Sequence, residues 1–292
     1  MEDVIALRRV SRFARYIRWN GSIYRGDLPH RVVGLLPINS TKNLPTMTRM
    51  KKQNLAGLFV GLCLCAAPLV GEAQVKIMPF GDSVTSRGSA PESSYRYWLW
   101  KDLTDAGITN FTFIGSQNGV SDGAPANSWP DENYEGGDGL TSSDAVGIAP
   151  SASTLDGGSD IVLLDFGSND IAPAGIPLDQ TISNLDQVIQ TFAAQNAGVI
   201  VLIAKPTPFA PDPSSSPQDQ RLQRREQSQL ASMIGKLAKT EKKAGINVIA
   251  VDLFGGFNVK KNTDDGSHPN VIGEQKIAKK YFTVLKGIFK KM

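Results

Sequence analysis

Short runs of β-branched and aliphatic residues alternate with longer amphipathic stretches from residue 74 to the end of the chain. Turn-forming residues bound many of the short runs, which predict strands at 75–80, 111–115, 161–166, 199–204 and 248–253. In the longer stretches, apolar residues recur three and four positions apart, as on a helix with one buried face. Three such faces are Leu178, Ile182, Leu185, Ile189 and Phe192; Leu230, Met233, Ile234 and Leu237; and Ile277, Tyr281, Val284, Leu285 and Ile288.

This alternation favours an α/β fold in which helices cover both faces of a five-stranded parallel sheet. Loops rich in Pro and Ser interrupt the pattern at 116–139 and 206–217, but strands and helices resume unchanged after each loop. We therefore predict a single domain over residues 74–292. Its 219 residues can bury a full hydrophobic core without disulfides.

The first 49 residues differ from the rest, because nine Lys or Arg stand against three acidic residues, a local charge of +6. Residues 50–73 follow the pattern of a secretory signal peptide: a basic start, an apolar run and small residues before a cut after Ala73. We expect translation to start at Met47 or Met50, which leaves 1–49 as a spurious or disordered extension. The alternatives are a genuine basic extension and an uncleaved anchor, although the apolar run is short for a bilayer span.

Removal of residues 1–73 changes the charge of the protein. It takes eleven basic and four acidic residues from totals of 31 and 28, leaving 20 basic and 24 acidic side chains. A mildly acidic chain without a basic patch gives no reason to expect nucleic-acid binding. Both cysteines, Cys63 and Cys65, lie in the apolar run, so the mature chain has no disulfide and no thiol nucleophile. After signal cleavage we expect no stable membrane association.

Histidine is scarce, since the chain has two and only His268 lies in the predicted domain; His30 belongs to the basic extension. An unperturbed imidazole has a pKa near 6.5, which suits a residue that takes and returns a proton near neutral pH. A carboxylate is needed to orient the ring. Asp265, three positions upstream, could face the ring from a turn, and Asp264 and Asp82 are competing candidates.

Polar residues follow the predicted strands, at the edge of a parallel sheet where ligands bind. Ser83 comes after the first strand, in Gly-Asp-Ser-Val-Thr at 81–85, and its hydroxyl could act as a nucleophile or simply cap a helix. Asn169 follows the third strand in Gly-Ser-Asn-Asp at 167–170, where its amide could face an oxyanion or satisfy a turn. Gly139 ends the loop after the second strand and could bring a backbone N–H close to a substrate.

Together, these segments resemble four sequence blocks of the SGNH (GDSL-type) hydrolase family, in order and over nearly the whole mature chain. The matching segments are 81–85, Gly139, 167–170 and Asp-Gly-Ser-His at 265–268. Met-Pro-Phe at 78–80, Tyr-Arg at 95–96 and Glu-Gly at 135–136 are similar to the branch that contains carbohydrate esterase family 3, which removes acetyl groups from xylan.

The resemblance implies a three-layer α/β/α, flavodoxin-like fold and ester hydrolysis through an acyl-enzyme. Ser83 would be the nucleophile, His268 the general base and then acid, and Asp265 the residue that orients the imidazole. The oxyanion hole would consist of the backbone N–H groups of Ser83 and Gly139 and the side-chain amide of Asn169. The implied substrate is an acetylated polysaccharide or another small ester.

Several alternatives remain at this point. Asp170 beside Asn169 is interpreted as bracing its loop rather than as a catalytic acid. Five acidic residues in the loop 116–139 could hold calcium, but their spacing fits no calcium loop and favours a solvated surface. We predict no cofactor and no catalytic metal. The same machinery would also serve a lipid or thioester hydrolase, and a carbohydrate-binding protein that has lost turnover is the alternative of another class.

Overall fold

The computed structural model describes residues 74–88, 94–121 and 129–292. The strands are β1 (Val75–Gly81), β2 (Phe111–Phe113), β3 (Glu135–Gly136), β4 (Ile161–Asp165), β5 (Ile200–Lys205) and β6 (Asn247–Asp252). The helices are α1 (Ser83–Ser86), α2 (Tyr95–Asp105), α3 (Ser142–Ala152), α4 (Ser168–Ile171), α5 (Leu178–Gln195), α6 (Pro217–Lys243), α7 (Val259–Asn262) and α8 (Val271–Phe289). The predicted signal peptide and basic extension lie outside the described residues.

The strands form one parallel sheet in the order β2-β1-β4-β5-β6, which confirms the predicted α/β fold. The prediction of five strands is wrong by one, because β3 also pairs with β1. Since β4 occupies the other edge of β1, the two-residue strand β3 continues the line of β2 beside the end of β1. A strand of two residues is too short to show an alternating pattern in the sequence.

Two helix layers bury the apolar side chains of the sheet. On one face, α3, α5 and α6 pack on alternate strand residues such as Phe80, Leu164 and Ile203. On the other face, α2 and α8 cover the intervening residues, such as Ile77 and Leu163. The helical faces predicted at 178–192, 230–237 and 277–288 pack against the sheet, except for Met233, which is partly buried and belongs to neither core cluster. No helix in the described ranges combines the length and the apolar character required to cross a bilayer.

The order of the strands creates a switch point between β1 and β4. From β1 the chain continues to β2 on one side, whereas from β4 it continues to β5 on the other side. A crevice therefore opens beyond the carboxyl ends of β1 and β4. Short helices, α1 after β1 and α4 after β4, begin within two or three residues of the strand ends. The fold therefore brings the residues after β1 and β4 to the same crevice.

Candidate active site

Ser83 occupies the first position of α1, directly beyond the end of β1. Asp82 is the N-cap of this helix, and its carboxylate accepts a hydrogen bond from the backbone N–H of Val84 at 2.9 Å. Gly81 makes the tight turn possible, since a β-carbon there would lie 2.3 Å from Thr85 Oγ1 and 2.8 Å from the carbonyl oxygen of Asp165. The turn presents the Ser83 hydroxyl at the crevice.

His268 lies in the loop between α7 and α8, and local hydrogen bonds fix its backbone. The Asp265 carboxylate accepts the backbone N–H groups of Ser267 and His268, each at 2.8 Å. The carbonyl oxygen of His268 in turn accepts the N–H of Asp264 at 3.1 Å. The same four-residue turn therefore sets the positions of the carboxylate and the imidazole.

The side chains of Ser83, His268 and Asp265 form a continuous hydrogen-bonded row. His268 Nε2 lies 3.1 Å from Ser83 Oγ, and His268 Nδ1 lies 2.6 Å from Asp265 Oδ2. With a proton on Nδ1, the ring can donate to the carboxylate and accept the Ser83 proton at Nε2. The geometry selects Asp265 over Asp264 and Asp82 as the ring's carboxylate partner.

The environment of Asp265 keeps its carboxylate ionised. Partial burial opposes ionisation, but hydrogen bonds from the His268 ring and from the backbone N–H groups of His268 and Ser267 outweigh it. They lower the pKa of Asp265 to about 2. Asp265 therefore carries a negative charge throughout the pH range in which an imidazole gains and loses its proton.

Asn169 and Gly139 approach the crevice from two further loops. The Asn169 amide donates to the carbonyl oxygen of Leu140 at 3.0 Å and lies 3.5 Å from Asp82 Oδ2. This contact joins the loop of β4 to the loop of β3 beside the Ser83 turn. Gly139 precedes Leu140 with a φ of +74°, a conformation that favours glycine. No hydrogen bond links Gly139 itself to Ser83 or His268 within the described ranges.

Asp170 braces the loop of Asn169, as the sequence interpretation favoured. Its carboxylate accepts the backbone N–H and the hydroxyl of Ser142, and the Thr181 hydroxyl donates to it at 3.0 Å. The side chain is fully buried. Asp170 therefore ties α4 to α3 and α5 and does not reach the crevice.

Arg96 fastens the loops around α1. Its fully buried guanidinium donates to the backbone carbonyl oxygens of Thr85, Glu132 and Gly119 at 2.9, 2.6 and 2.5 Å. The guanidinium also lies 4.3 Å from the centre of the Tyr134 ring. Burial lowers the pKa of Arg96 to about 10, so the side chain is still cationic at neutral pH. One side chain thus connects α1 to the segment that leads into β3.

Arg87 contacts the imidazole, which the sequence reasoning missed. Its Nη1 atom lies 3.1 Å from His268 Nε2 and 3.3 Å from Nδ1. If Nη1 lay in the plane of the ring at these two distances, it would collide with ring carbon atoms such as Cε1. The guanidinium therefore lies over the face of the ring. Its Nε atom also lies 3.7 Å from the Asp138 carboxylate. No sequence signal for this contact exists, because 181 residues separate Arg87 from His268.

A small cavity of about 120 Å³ opens beside these groups, lined in part by Ser83, Val84, Arg87, His268 and Pro269. Pockets for drug-sized ligands typically measure about 300–1,000 Å³, so this cavity suits a small group. Within the described ranges, no cluster of three or more His, Cys, Asp or Glu side chains could hold a metal ion. The acidic loop predicted as a solvated surface includes residues outside those ranges.

Comparisons with known proteins find a matching family and similar structures. The model of the GDSL-like Lipase/Acylhydrolase family matches residues 80–276. A family 3 carbohydrate esterase from Clostridium thermocellum is 27% identical, and the alignment covers 74% of this chain and 98% of that one with a TM-score of 0.59. A family 3 carbohydrate esterase from Talaromyces cellulolyticus has the same fold, with 23% identity, coverage of 75% and 100%, and a TM-score of 0.61.

A sequence relative is also similar over most of the chain. A multidomain esterase from Ruminococcus flavefaciens is 26% identical over 245 residues. The alignment covers 78% of this chain but only 31% of the relative's length. The similarity therefore concerns one part of that larger protein.

Proposed function

The chain belongs to the GDSL-like lipase/acylhydrolase family, as its sequence blocks predicted, and we propose that it is a secreted serine esterase that removes O-acetyl groups from polysaccharide. Family membership confirms the prediction of a carboxylic ester hydrolase. The observation that carries the mechanism is the row Ser83 Oγ, His268 Nε2, His268 Nδ1 and Asp265 Oδ2, with distances of 3.1 and 2.6 Å.

In the proposed reaction, Ser83 Oγ attacks the ester carbonyl carbon while His268 Nε2 takes the hydroxyl proton. The tetrahedral intermediate collapses when His268 returns that proton to the leaving alcohol, and an acyl-Ser83 ester remains. Water then attacks the acyl-enzyme with His268 again as base, which releases the carboxylic acid and restores the Ser83 hydroxyl. Asp265, ionised above about pH 2, stabilises the imidazolium formed in each step.

The proposed oxyanion hole uses donors from the segments that follow β1, β3 and β4: the N–H groups of Ser83 and Gly139 and the side-chain amide of Asn169. In the resting enzyme, the Asn169 amide is held by the Leu140 carbonyl and the Asp82 carboxylate. Both amide hydrogens therefore have acceptors before substrate arrives, and a substrate oxyanion would replace the longer contact, the one to Asp82 at 3.5 Å.

Replacement of Asn169 by alanine is expected to lower kcat on the order of 100- to 1,000-fold with little change in KM, because the lost donor binds charge that exists only after attack. Steady-state kinetics with p-nitrophenyl acetate measure both constants. Asn196→Ala is the matched control, since the Asn196 amide also donates to a backbone carbonyl, that of Ser159, at 3.0 Å. This contact lies near the amino ends of the strands, away from the crevice. Equal losses of kcat in the two variants would contradict the assignment of Asn169 to the oxyanion hole.

A short acyl group fits the site better than a lipid chain. The cavity beside Ser83 has a volume of about 120 Å³, well below the roughly 300–1,000 Å³ of pockets for drug-sized ligands. The similar structures of family 3 carbohydrate esterases point to a carbohydrate as the alcohol component. Both observations favour an acetylated polysaccharide over the lipid and thioester alternatives.

We expect purified residues 74–292 to hydrolyse p-nitrophenyl acetate at least tenfold faster, by kcat/KM, than the octanoate ester, and to release acetate from acetylated xylan. Acetate release is measured by an enzyme-coupled assay, and Ser83→Ala supplies the background rate. A preference for octanoate would favour the lipase alternative. Binding of xylan without turnover of any ester would favour the carbohydrate-binding alternative. Secretion has its own test: mass spectrometry of the exported protein should find Gln74 at the N-terminus.

A further inference from the structure

Two buried carboxyl groups lie at neighbouring strand ends beneath the Ser83 turn, Asp82 directly after β1 and Asp165 at the end of β4. Asp165 is the last residue of β4 and pairs in register with Gly81, and the backbone N–H of Asp82 donates to the Asp165 carbonyl at 3.2 Å. Both side chains are 2% exposed. The Asp165 Oδ2 atom is buried and has no hydrogen-bond partner among the described residues. A buried acceptor without a donor, next to a second carboxyl group, requires an explanation.

No cation neutralises the two carboxyl groups in the described part of the chain. Arg96 on α2 is the buried cation nearby, and its guanidinium is directed at the carbonyl oxygens of Thr85, Glu132 and Gly119. The other titratable groups are acidic: Asp170 on α4, Asp138 after β3, Tyr95 on α2 and Tyr281 on α8. The Tyr95 hydroxyl interacts with Thr85 Oγ1 at 3.3 Å, whereas the Tyr281 hydroxyl has no partner among the described residues.

Two adjacent carboxylates that are buried without a cation cannot both ionise at moderate pH. Burial raises the pKa of Asp165 to about 7, and burial followed by the neighbouring Asp165 raises the pKa of Asp82 well above its usual value. The pair therefore retains one proton near neutral pH. The proton belongs mainly to Asp165, because the Asp82 carboxylate accepts the Val84 N–H and faces the Asn169 amide, which stabilise its ionised form.

We propose that Asp165 is a positioning residue that keeps its proton while the nearby Asp82 is ionised, and thereby holds the Ser83 turn and the Asn169 amide in place. The inference rests on the proposed function of Ser83 and Asn169. While the proton is present, Asp82 caps α1 and contacts Asn169. When the proton is lost, two buried negative charges repel each other, and Asp82 can relieve the repulsion only by moving away from those contacts. The hydrolysis therefore slows at alkaline pH.

The test is the pH dependence of kcat/KM in the wild type and in Asp165→Asn. The variant keeps the shape of the side chain and cannot ionise. We expect wild-type kcat/KM to fall roughly tenfold or more from pH 7 to pH 9, and the variant to change less than about twofold over that range. Asp160→Asn is the matched control at the opposite end of β4, where Asp160 accepts the Lys76 N–H, and it should retain the wild-type profile.

A second measurement tests the retained proton without reference to activity. Carbon-13 NMR of aspartate-labelled wild-type protein should show carboxyl resonances that titrate near pH 7 or above and that change in Asp165→Asn. The melting temperature should also respond. Because the folded-state pKa is raised, this pair stabilises the fold fully below about pH 4, and the stabilisation is lost as pH rises through about 7. In Asp165→Asn, the melting temperature should no longer show the part of its decline with pH that this pair causes.

Identical pH profiles in wild type and Asp165→Asn would overturn the proposal, as would titration of every aspartate carboxyl below pH 5. An equal loss of activity at all pH values in the variant would indicate a purely structural role and would also overturn it. These outcomes are separate from failure of the proposed function, which Ser83→Ala reports. If the variant does not fold, the carboxyl titration of the wild type still decides the question.

Discussion

Ser83→Ala is expected to lower kcat for acetyl ester hydrolysis by as much as about 10⁶-fold, to the rate supported by binding and the oxyanion hole alone. The variant lacks the only hydroxyl that lies 3.1 Å from His268 Nε2 among the described residues, so no acyl-enzyme can form. KM or the affinity for a product analogue should change little, because the methyl group of alanine fills part of the same space. Single-turnover and steady-state assays with p-nitrophenyl acetate measure the loss.

Two further variants make this prediction specific. His268→Gln should cost nearly as much as Ser83→Ala, and the double variant should be no slower than either, because the two side chains act as one unit. Ser86→Ala is the control on the same short helix; its hydroxyl bonds to Asp138 rather than to His268, and we expect less than about a tenfold loss. Multiplicative losses in the double variant, or wild-type rates in Ser83→Ala, would contradict the serine mechanism.

Asp265→Asn is expected to lower kcat on the order of 10³- to 10⁴-fold while the protein keeps its fold. The carboxylate accepts both the ring Nδ1–H and two backbone N–H groups. An asparagine oxygen can keep the backbone contacts, which turns its NH₂ group toward Nδ1. The ring then holds its proton on Nε2, where it cannot accept the Ser83 hydroxyl proton.

Two controls accompany this second prediction: the pH dependence of the variant's activity and a substitution at a neighbouring residue. Since the pKa of Asp265 is about 2, the wild-type contact persists across any practical assay range, and the defect of the variant should be present from pH 5 to pH 9. Asp264→Asn is the matched control, because Asp264 is exposed and its N–H, not its carboxylate, binds the His268 carbonyl. Similar losses in both variants would show that the turn, rather than the carboxylate, matters.

Much of the fold could be predicted from the sequence because the apolar pattern is strong where elements are long. All five predicted strands are present with ends shifted by at most two residues, and the three predicted helical faces pack on the sheet. The second strand ends at Phe113, before Gly115, whose close approach to the Tyr134 backbone leaves no room for a side chain. The strand β3 had no detectable pattern because it has only two residues, both paired with β1.

The residues of the site were identifiable one by one, but their relations were not. Ser83, Asn169 and His268 follow strands or precede a helix at one edge of the sheet, which sequence order and parallel topology suffice to predict. The resemblance to the SGNH hydrolase family already favoured Asp265 over Asp82 and Asp264 as the partner of the imidazole, and the distance of 2.6 Å between His268 Nδ1 and Asp265 Oδ2 agrees with that choice. The position of Arg87 over the His268 ring and that of Asp165 near Asp82 required the structure, since strand register and side-chain direction create those contacts.

The sequence by itself determined the class of fold, the edge of the sheet at which chemistry occurs, and the residue types that serve an ester hydrolase. These features depend on local periodicity, on the chemistry of side chains and, for the hydrolase residues, on the resemblance of four sequence blocks to the SGNH family. Only the tertiary structure decided which cation covers the imidazole and which acid loses its solvent beneath the nucleophile. Burial and distances of about 3 Å between residues many positions apart depend on how the sheet and helices pack, and no local pattern encodes them.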